Sequence, residues 1–337
     1  MSRVDSARAD RSTSEAPHPD PRPGVAGRGR LLALLGLLLA LPALAAGRPR
    51  VAVIKSADLA PYAQVVAGFA AEAKATVEEL TLEEGSEGAA KAFKKLAQDP
   101  PALVLAIGPA AAVGARRQFS DVPVVFVMVP YYQKYELEGP NTTGIALTSD
   151  LSLELGALKA LTPTVKRVGV LEDPRYSAKF LEEAAKVAQA KGLTLVPLEL
   201  DTPTRLEKVL GEAKGKVDAL IFISDKTVGN AAVVERLMQW AYDEKLPSVG
   251  LAPAQVKRGA LLALSPAPLS LGQQAARIAN RVLQEKVDPG ALAVASPEGV
   301  ELHVNLTTAK RLGPAERFAL ELVTFAARQG LAVKVVE

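Results

Sequence analysis

Apolar residues along this chain fall into two alternating patterns. One is the short continuous run bounded by turn residues, Val51-Ala52-Val53-Ile54, Leu103-Val104-Leu105-Ala106-Ile107 and Val124 to Val129, which is how a strand buried on both faces reads. The other is helical spacing, clear in 177–191, where Phe180, Ala184, Val187 and Ala188 share one face. In chain order the patterns predict strand 51–54, helix 62–75, strand 76–82, helix 89–98, strand 103–107, helix 110–119, strand 124–129 and a closing strand 143–147. A helix over 151–161 ends at Thr162-Pro163. A second series predicts strand 168–171, helix 177–191, strand 193–198, helix 206–213, strand 220–223, helix 228–242 and strands 248–251 and 260–264. Thr204 with Glu207, and Ser270 with Gln273, have capping-box spacing. Beyond them come helix 271–283, strand 300–304, a short helix 307–312, a further helix and an edge strand 331–336.

Strands alternating with helices imply parallel sheets covered on both faces. The first strand of each series precedes the third by 52 positions, Val51 to Leu103 and Val168 to Leu220. The repeat is architectural, and two similar doubly wound α/β lobes are expected. The boundaries expected are 1–45 for an export segment, 46–161 plus 268–312 for the first lobe and 162–267 for the second. Residues 313–337 are a helix and strand assigned to neither lobe.

The N-terminal stretch has a different pattern. Arg28 and Arg30 precede the uncharged run Leu31 to Leu41, followed by Pro42 and Ala43-Leu44-Ala45, a small-x-small site. This is the layout of a cleavable secretory signal, with cleavage expected after Ala45 and the mature protein in the periplasm. The run 31–46 contains a proline and is shorter than the roughly 20 residues that cross a bilayer, which argues against a retained anchor.

Composition narrows the chemistry. Of the 40 basic and 37 acidic residues, six and four lie in 1–45, leaving 34 against 33. A chain so nearly neutral has no concentrated basic surface for nucleic acid. With no cysteine, disulfides, thiolate metal sites, Fe–S clusters, cysteine nucleophiles and a lipid-modified N-terminal Cys are excluded. The histidines are His18 and His303, the latter inside a predicted strand, so a His-based triad is not expected. Gly211 to Lys216 imitates a phosphate loop with wrong spacing and context. Neither a catalytic residue, a metal site nor a cofactor is expected.

Ligands of open parallel sheets bind beyond the carboxyl ends of the strands. The loops there are 55–62 (with Ser56, Asp58 and Tyr62), 108–110, 130–135, 172–177 (with Asp173 and Tyr176), 224–227, 252–253 and 265–266 (with Ser265). Five of the six tyrosines, Tyr62, Tyr131, Tyr132, Tyr135 and Tyr176, stand on these loops, whereas the eight phenylalanines fall in or at the ends of predicted elements. Amphipathic rings so placed suit a small ligand. Gly108-Pro109-Ala110 opens a helix whose free N–H groups suit an anion, although the same turn serves in any α/β protein. Ser224, Asp225 and Thr227 hold the matching place in the second series. Asp225 suits a ligand ammonium, and helix capping is an equal alternative for it, for Thr227 and for Asp173.

Several segments together carry a resemblance: Ala106 to Ala111, Val122 to Phe126, Asn141 to Ile145, Pro163 through Lys166 to Leu171, Ser224 to Val228, and Val304-Asn305 with Ala309 to Gly313. In order over about 50–313, they resemble ABC transporter substrate-binding proteins related to the tryptophan- and tyrosine-binding ones. The resemblance implies the periplasmic-binding-protein type I fold, with two hinged lobes closing on a small solute in the cleft between them. It implies a monomeric receptor presenting that solute to a membrane permease and its ATPase, with an aromatic or branched amino acid as solute class. Tyr62, Tyr131, Tyr132 and Tyr176 would be ring contacts, Gly108, Pro109 and Ala110 an anion seat, and Ser224, Asp225 and Thr227 partners from the second lobe. Two departures stand out. Pro130 to Tyr135 replaces the family's Asp-Pro-Val-like loop, and the lipid-anchored Cys of Gram-positive members is missing. A sensory or cell-envelope scaffold protein with the same fold is the alternative.

Overall fold

The computed structural model describes residues 47–83, 86–147, 150–223 and 225–336. The expected export segment 1–45 and Ser224 lie outside these residues.

The first series folds as β1 (Arg50–Lys55), α1 (Ala60–Glu72), β2 (Thr76–Thr81), α2 (Ser86–Gln98), β3 (Leu103–Ile107), α3 (Pro109–Gln118), β4 (Val124–Val127) and β5 (Thr142–Gly144). The second folds as α4 (Leu151–Leu161), β6 (Arg167–Glu172), α5 (Pro174–Ala190), β7 (Thr194–Glu199), α6 (Leu206–Ala213), β8 (Ala219–Ile221), α7 (Ala231–Asp243), β9 (Ser248–Gly250), α8 (Pro253–Lys257) and β10 (Leu262–Pro266). The chain ends with α9 (Pro268–Gln284), β11 (Val300–Asn305), α10 (Leu306–Leu312), α11 (Ala315–Gln329) and β12 (Ala332–Val336).

Two sheets result. The first has order β2-β1-β3-β4-β5 and is parallel throughout. The second has order β12-β11-β10-β9-β8-β6-β7, parallel except where β10 meets β11 antiparallel. Every residue of β3 and β4 is buried, as their unbroken apolar runs require, whereas the edge strands β2 and β7 are largely exposed or half-buried. Each sheet has a core on both faces. Val51, Val53, Leu105 and Val125 pack under α1 and α9, and Ile54, Ala106 and Phe126 pack under α2 and α3. In the second sheet, Val168, Val170 and Ile221 pack under α4 and α11, and Leu171, Leu220 and Phe222 under α6 and α7.

Lobe membership differs from the sequence expectation at two places. α4, assigned to the first lobe, sends Leu155, Ala157, Leu158 and Leu161 into the core that holds Val168 and Val170. β11 and α10, also assigned to the first lobe, belong to the second, because β11 continues that sheet beyond β10 with Val304 opposite Leu262. The C-terminal residues complete the same lobe, with β12 alongside β11 and Phe318 and Leu322 of α11 in its core. α9 packs with α1, where Leu271, Ala275 and Ala279 meet Val65 and Phe69. The chain therefore passes between the sheets after β5, after β10 and again before β11, where Ile145 bridges Ala295. The expected strand 143–147 is shortened to three residues plus that bridge.

Candidate functional site

Strands β1 to β5 run parallel in the first sheet and β6 to β10 in the second, so the loops after β1, β3 and β4 leave one edge of the first sheet, and those after β6, β8 and β9 leave one edge of the second.

In the first lobe the turn from β3 to α3 is closed by contact. Gly108 has φ +91°, a conformation that L side chains rarely adopt, and a Cβ there would lie 2.4 Å from the Tyr62 hydroxyl and 2.7 Å from Ser56 Oγ. Ser56 Oγ accepts from the Ala111 backbone N–H at 2.9 Å, so one of the α3 donors expected to hold an anion is already paired. Pro109 is the first residue of α3 and Ala110 beside it is exposed. Tyr62 is buried, and burial raises its hydroxyl above the ordinary tyrosine range. Asp58 is exposed and pairs with Lys55 Nζ at 3.7 Å.

The loop after β4 is unusual in its backbone. Met128, Tyr131 and Glu136 all have positive φ, at 58°, 51° and 49°, and three such non-glycine residues within nine positions concentrate strain on one strand-end loop. The ring of Tyr131 stays exposed with Lys134 Nζ 4.6 Å from its centroid. Tyr132 behaves differently from its neighbour. Its ring leans on Phe126 with centroids 5.3 Å apart, among the apolar residues of the first lobe. Packing thus accounts for Tyr132.

The second lobe presents a hydrogen-bonded acidic network. Asp225 Oδ2 accepts from the Asp173 backbone N–H at 2.8 Å and from Ser177 Oγ at 2.9 Å, while Oδ1 accepts from the N–H groups of Thr227 and Val228 at 2.9 and 2.7 Å. A carboxylate has about four acceptor positions, so all of Asp225's are occupied. Asp173 Oδ1 accepts from the Arg175 N–H and Nε at 3.1 and 2.8 Å, and Oδ2 from Arg175 Nη2 and Thr227 Oγ1. These bonds to Arg175, foremost, hold the Asp173 carboxyl well below its usual range. Asp173, Asp225 and Thr227 therefore cap α5 and the turn after β8 and lace two neighbouring strand ends together. The capping alternative describes them, and the ammonium contact expected of Asp225 has no free acceptor there. Ser265 lies half-buried within β10 opposite Glu301.

Tyr176, on the first turn of α5, is half exposed and lies between Lys226 Nζ at 5.3 Å and the Arg175 guanidinium at 5.5 Å. Tyr131 in one lobe and Tyr176 in the other are thus the two exposed rings on strand-end loops that carry a cation against the face. A groove of about 530 Å³ lined by Glu235, Met238, Gln239, Tyr242 and Arg258 is a separate feature of α7, and none of the strand-end loops above lines it.

Sequence reasoning passed over Glu172. It ends β6, is 3% exposed, and its Oε2 is buried with no hydrogen-bond partner among the described residues. Burial first, then the charges of Glu199, Asp225 and Asp173, push its carboxyl up to about 7. The signal was present in Val168-Gly169-Val170-Leu171-Glu172, an acidic residue directly continuing a run buried on both faces.

A family of known proteins matches this architecture. The ABC transporter substrate binding protein family matches residues 72–317, and the chain belongs to it. Its members are substrate-binding proteins and not enzymes. A tyrosine-binding protein from Clostridioides difficile is 25% identical over 229 residues, which is 65% of this chain and 65% of that protein, so about a third of the relative's length is unmatched. Among solved structures, a ligand-free, open substrate-binding protein with adhesive properties from Clostridium difficile superposes with a TM-score of 0.68 at 18% identity, covering 86% of this chain and 100% of that one. A domain from Streptococcus pneumoniae in complex with L-Trp gives 0.55 at 21% identity, covering 85% and 100%. The fold is the type I fold of periplasmic binding proteins.

Proposed function

We propose that this chain is the solute receptor of an ABC importer, exported to the periplasm, where its two lobes close on a small amino acid with an aromatic side chain and present it to a permease and its ATPase. The observation that carries the reading is the pair of exposed rings, Tyr131 on the loop after β4 and Tyr176 on the turn after β6, one on each lobe. A flat solute in the cleft would lie against both, and a ligand that touches both lobes favours the closed arrangement over the open one. Two relatives support the solute class, the tyrosine-binding protein and the domain in complex with L-Trp. The strained loop 128–136 supports a functional role for the Tyr131 side, since such conformations persist where the surroundings hold them for a purpose.

Native mass spectrometry of the exported protein, followed by calorimetry with the twenty amino acids, tests this reading. Binding of an aromatic amino acid is expected, and Tyr131→Ala and Tyr176→Ala each weaken it by about fivefold to tenfold, the loss of one ring contact of about 1 to 1.5 kcal/mol. Both rings are exposed, so thermal stability stays within about 0.5 kcal/mol of the parent. No binding of any amino acid, or unchanged affinity in both variants, overturns the reading.

A further inference from the structure

The second-lobe strand ends hold four carboxyl groups close together, and three of them are accounted for. Asp225 is filled by four donors and Asp173 by Arg175 and Thr227, while Glu199, paired in register with Glu172 across β6 and β7, is exposed to water. The fourth, Glu172, is almost wholly buried at the carboxyl end of its strand, with one oxygen unpartnered among the described residues. We infer that Glu172 is the seat for the positively charged ammonium of the solute, so that the chain selects an amino acid over the same molecule lacking its amino group. The inference rests on the amino-acid reading above and assigns one residue within it.

Three features point the same way. A buried acceptor without a partner is costly, and a ligand donor placed there recovers what the free protein lacks. The surroundings are negative: Glu199 faces it from β7, Asp225 from the turn after β8, and Asp173 from the start of α5, where Arg175 is bonded to Asp173 and not to Glu172. Glu154 of α4, on the same side of the sheet, has interactions of its own, and Lys226 lies over the Tyr176 ring. Such a cluster favours a cation and disfavours a second anion. Finally, Tyr176 stands four residues on, on the first turn of the helix that follows Glu172, so the ammonium seat and an aromatic platform belong to one stretch of backbone.

The sign of the proton linkage follows. In the free protein Glu172 is partly protonated at neutral pH, and a bound ammonium favours the charged carboxylate, so binding releases a proton. Affinity for the amino acid then rises with pH through the range below about 7 and levels off above it.

Calorimetry with L-tyrosine and with 3-(4-hydroxyphenyl)propionate, which lacks the amino group, between pH 5.5 and 8 and in buffers of different ionisation heat, tests this. For L-tyrosine the affinity is expected to rise roughly thirtyfold across the range, with close to one proton released per molecule at pH 6. The propionate is expected to bind more weakly and without that rise. Glu172→Gln, which mimics the protonated acid in shape, is expected to keep the fold by circular dichroism, lose tenfold or more in L-tyrosine affinity at pH 8 and flatten the pH profile. Should both solutes bind alike with flat profiles, or should Glu172→Gln leave the L-tyrosine profile intact, the ammonium seat is wrong while the receptor reading stands. If neither solute nor any other amino acid binds, the receptor reading falls and this assignment with it.

Discussion

Replacing Gly272 with alanine is expected to destabilise the protein by about 3 kcal/mol, measured as a drop in the urea midpoint at unchanged slope. α1 and α9 approach so closely that a Cβ on Gly272 would lie 2.0 Å from the Val65 carbonyl oxygen and 2.7 Å from the Phe69 backbone nitrogen. Gly68, facing it from α1, is equally tight, 2.1 Å from the Leu269 carbonyl oxygen. The atoms in the way are backbone, so no rotamer change relieves the clash and the helices must part. Parting them opens the core formed by Val65, Phe69, Leu271, Ala275 and Ala276. The sign is diagnostic, because Gly→Ala inside a helix normally stabilises by about 1 kcal/mol. Gly211 in α6 has nothing within 4 Å of its Cβ position, and Gly211→Ala is expected to be neutral or stabilising. If both variants behave alike, the close packing of α1 on α9 is wrong.

The second large effect concerns Asp225. Asp225→Ala removes the acceptor for four donors, the N–H groups of Asp173, Thr227 and Val228 and the hydroxyl of Ser177. At about 1 kcal/mol or more for each donor left unpaired in a buried setting, the expected loss is about 4 kcal/mol, and solute affinity falls as the ends of β6 and β8 lose their lacing. Asp225→Asn separates this structural role from a charge contact with solute. Its Oδ1 can still serve Thr227 and Val228, while its amide nitrogen cannot accept from Asp173 or Ser177. About half the loss is therefore expected, with solute affinity following stability. An Asn variant as stable as the parent but unable to bind would return Asp225 to direct contact with ligand.

Most of the architecture was readable in the chain because β1, β3 and β6 are buried on both faces, and short apolar runs of this kind between helical segments read as strands of a covered parallel sheet. What could not be read was which sheet an element serves. The apolar face of α4 fits either core, and only the three-dimensional path places it beside Val168; β11 likewise carries no mark of its antiparallel partner. The site divides in the same manner. Gly108-Pro109-Ala110 was legible as a strand-to-helix turn, with proline at the helix start, and the structure supplies the reason for the glycine in the Tyr62 and Ser56 contacts. Asp173, Asp225 and Thr227 have the composition of both a cap and a ligand contact, and only hydrogen-bond geometry separates them. Tyr131 and Tyr132 are adjacent and identical in type, yet the positive φ at Tyr131 turns one ring to solvent and leaves the other on Phe126. Glu172 escaped because an acidic residue closing a strand reads as a solvent edge until its burial is known.

As proposed above, two lobes joined by three passages of chain close on a small aromatic amino acid. Small-angle X-ray scattering of the protein alone and saturated with L-tyrosine or L-tryptophan tests it most directly. A smaller radius of gyration is expected in the saturated sample, reverting when the solute is dialysed away and absent in the Tyr131→Ala, Tyr176→Ala double variant. Saturation demonstrated by calorimetry with an unchanged scattering profile would contradict it.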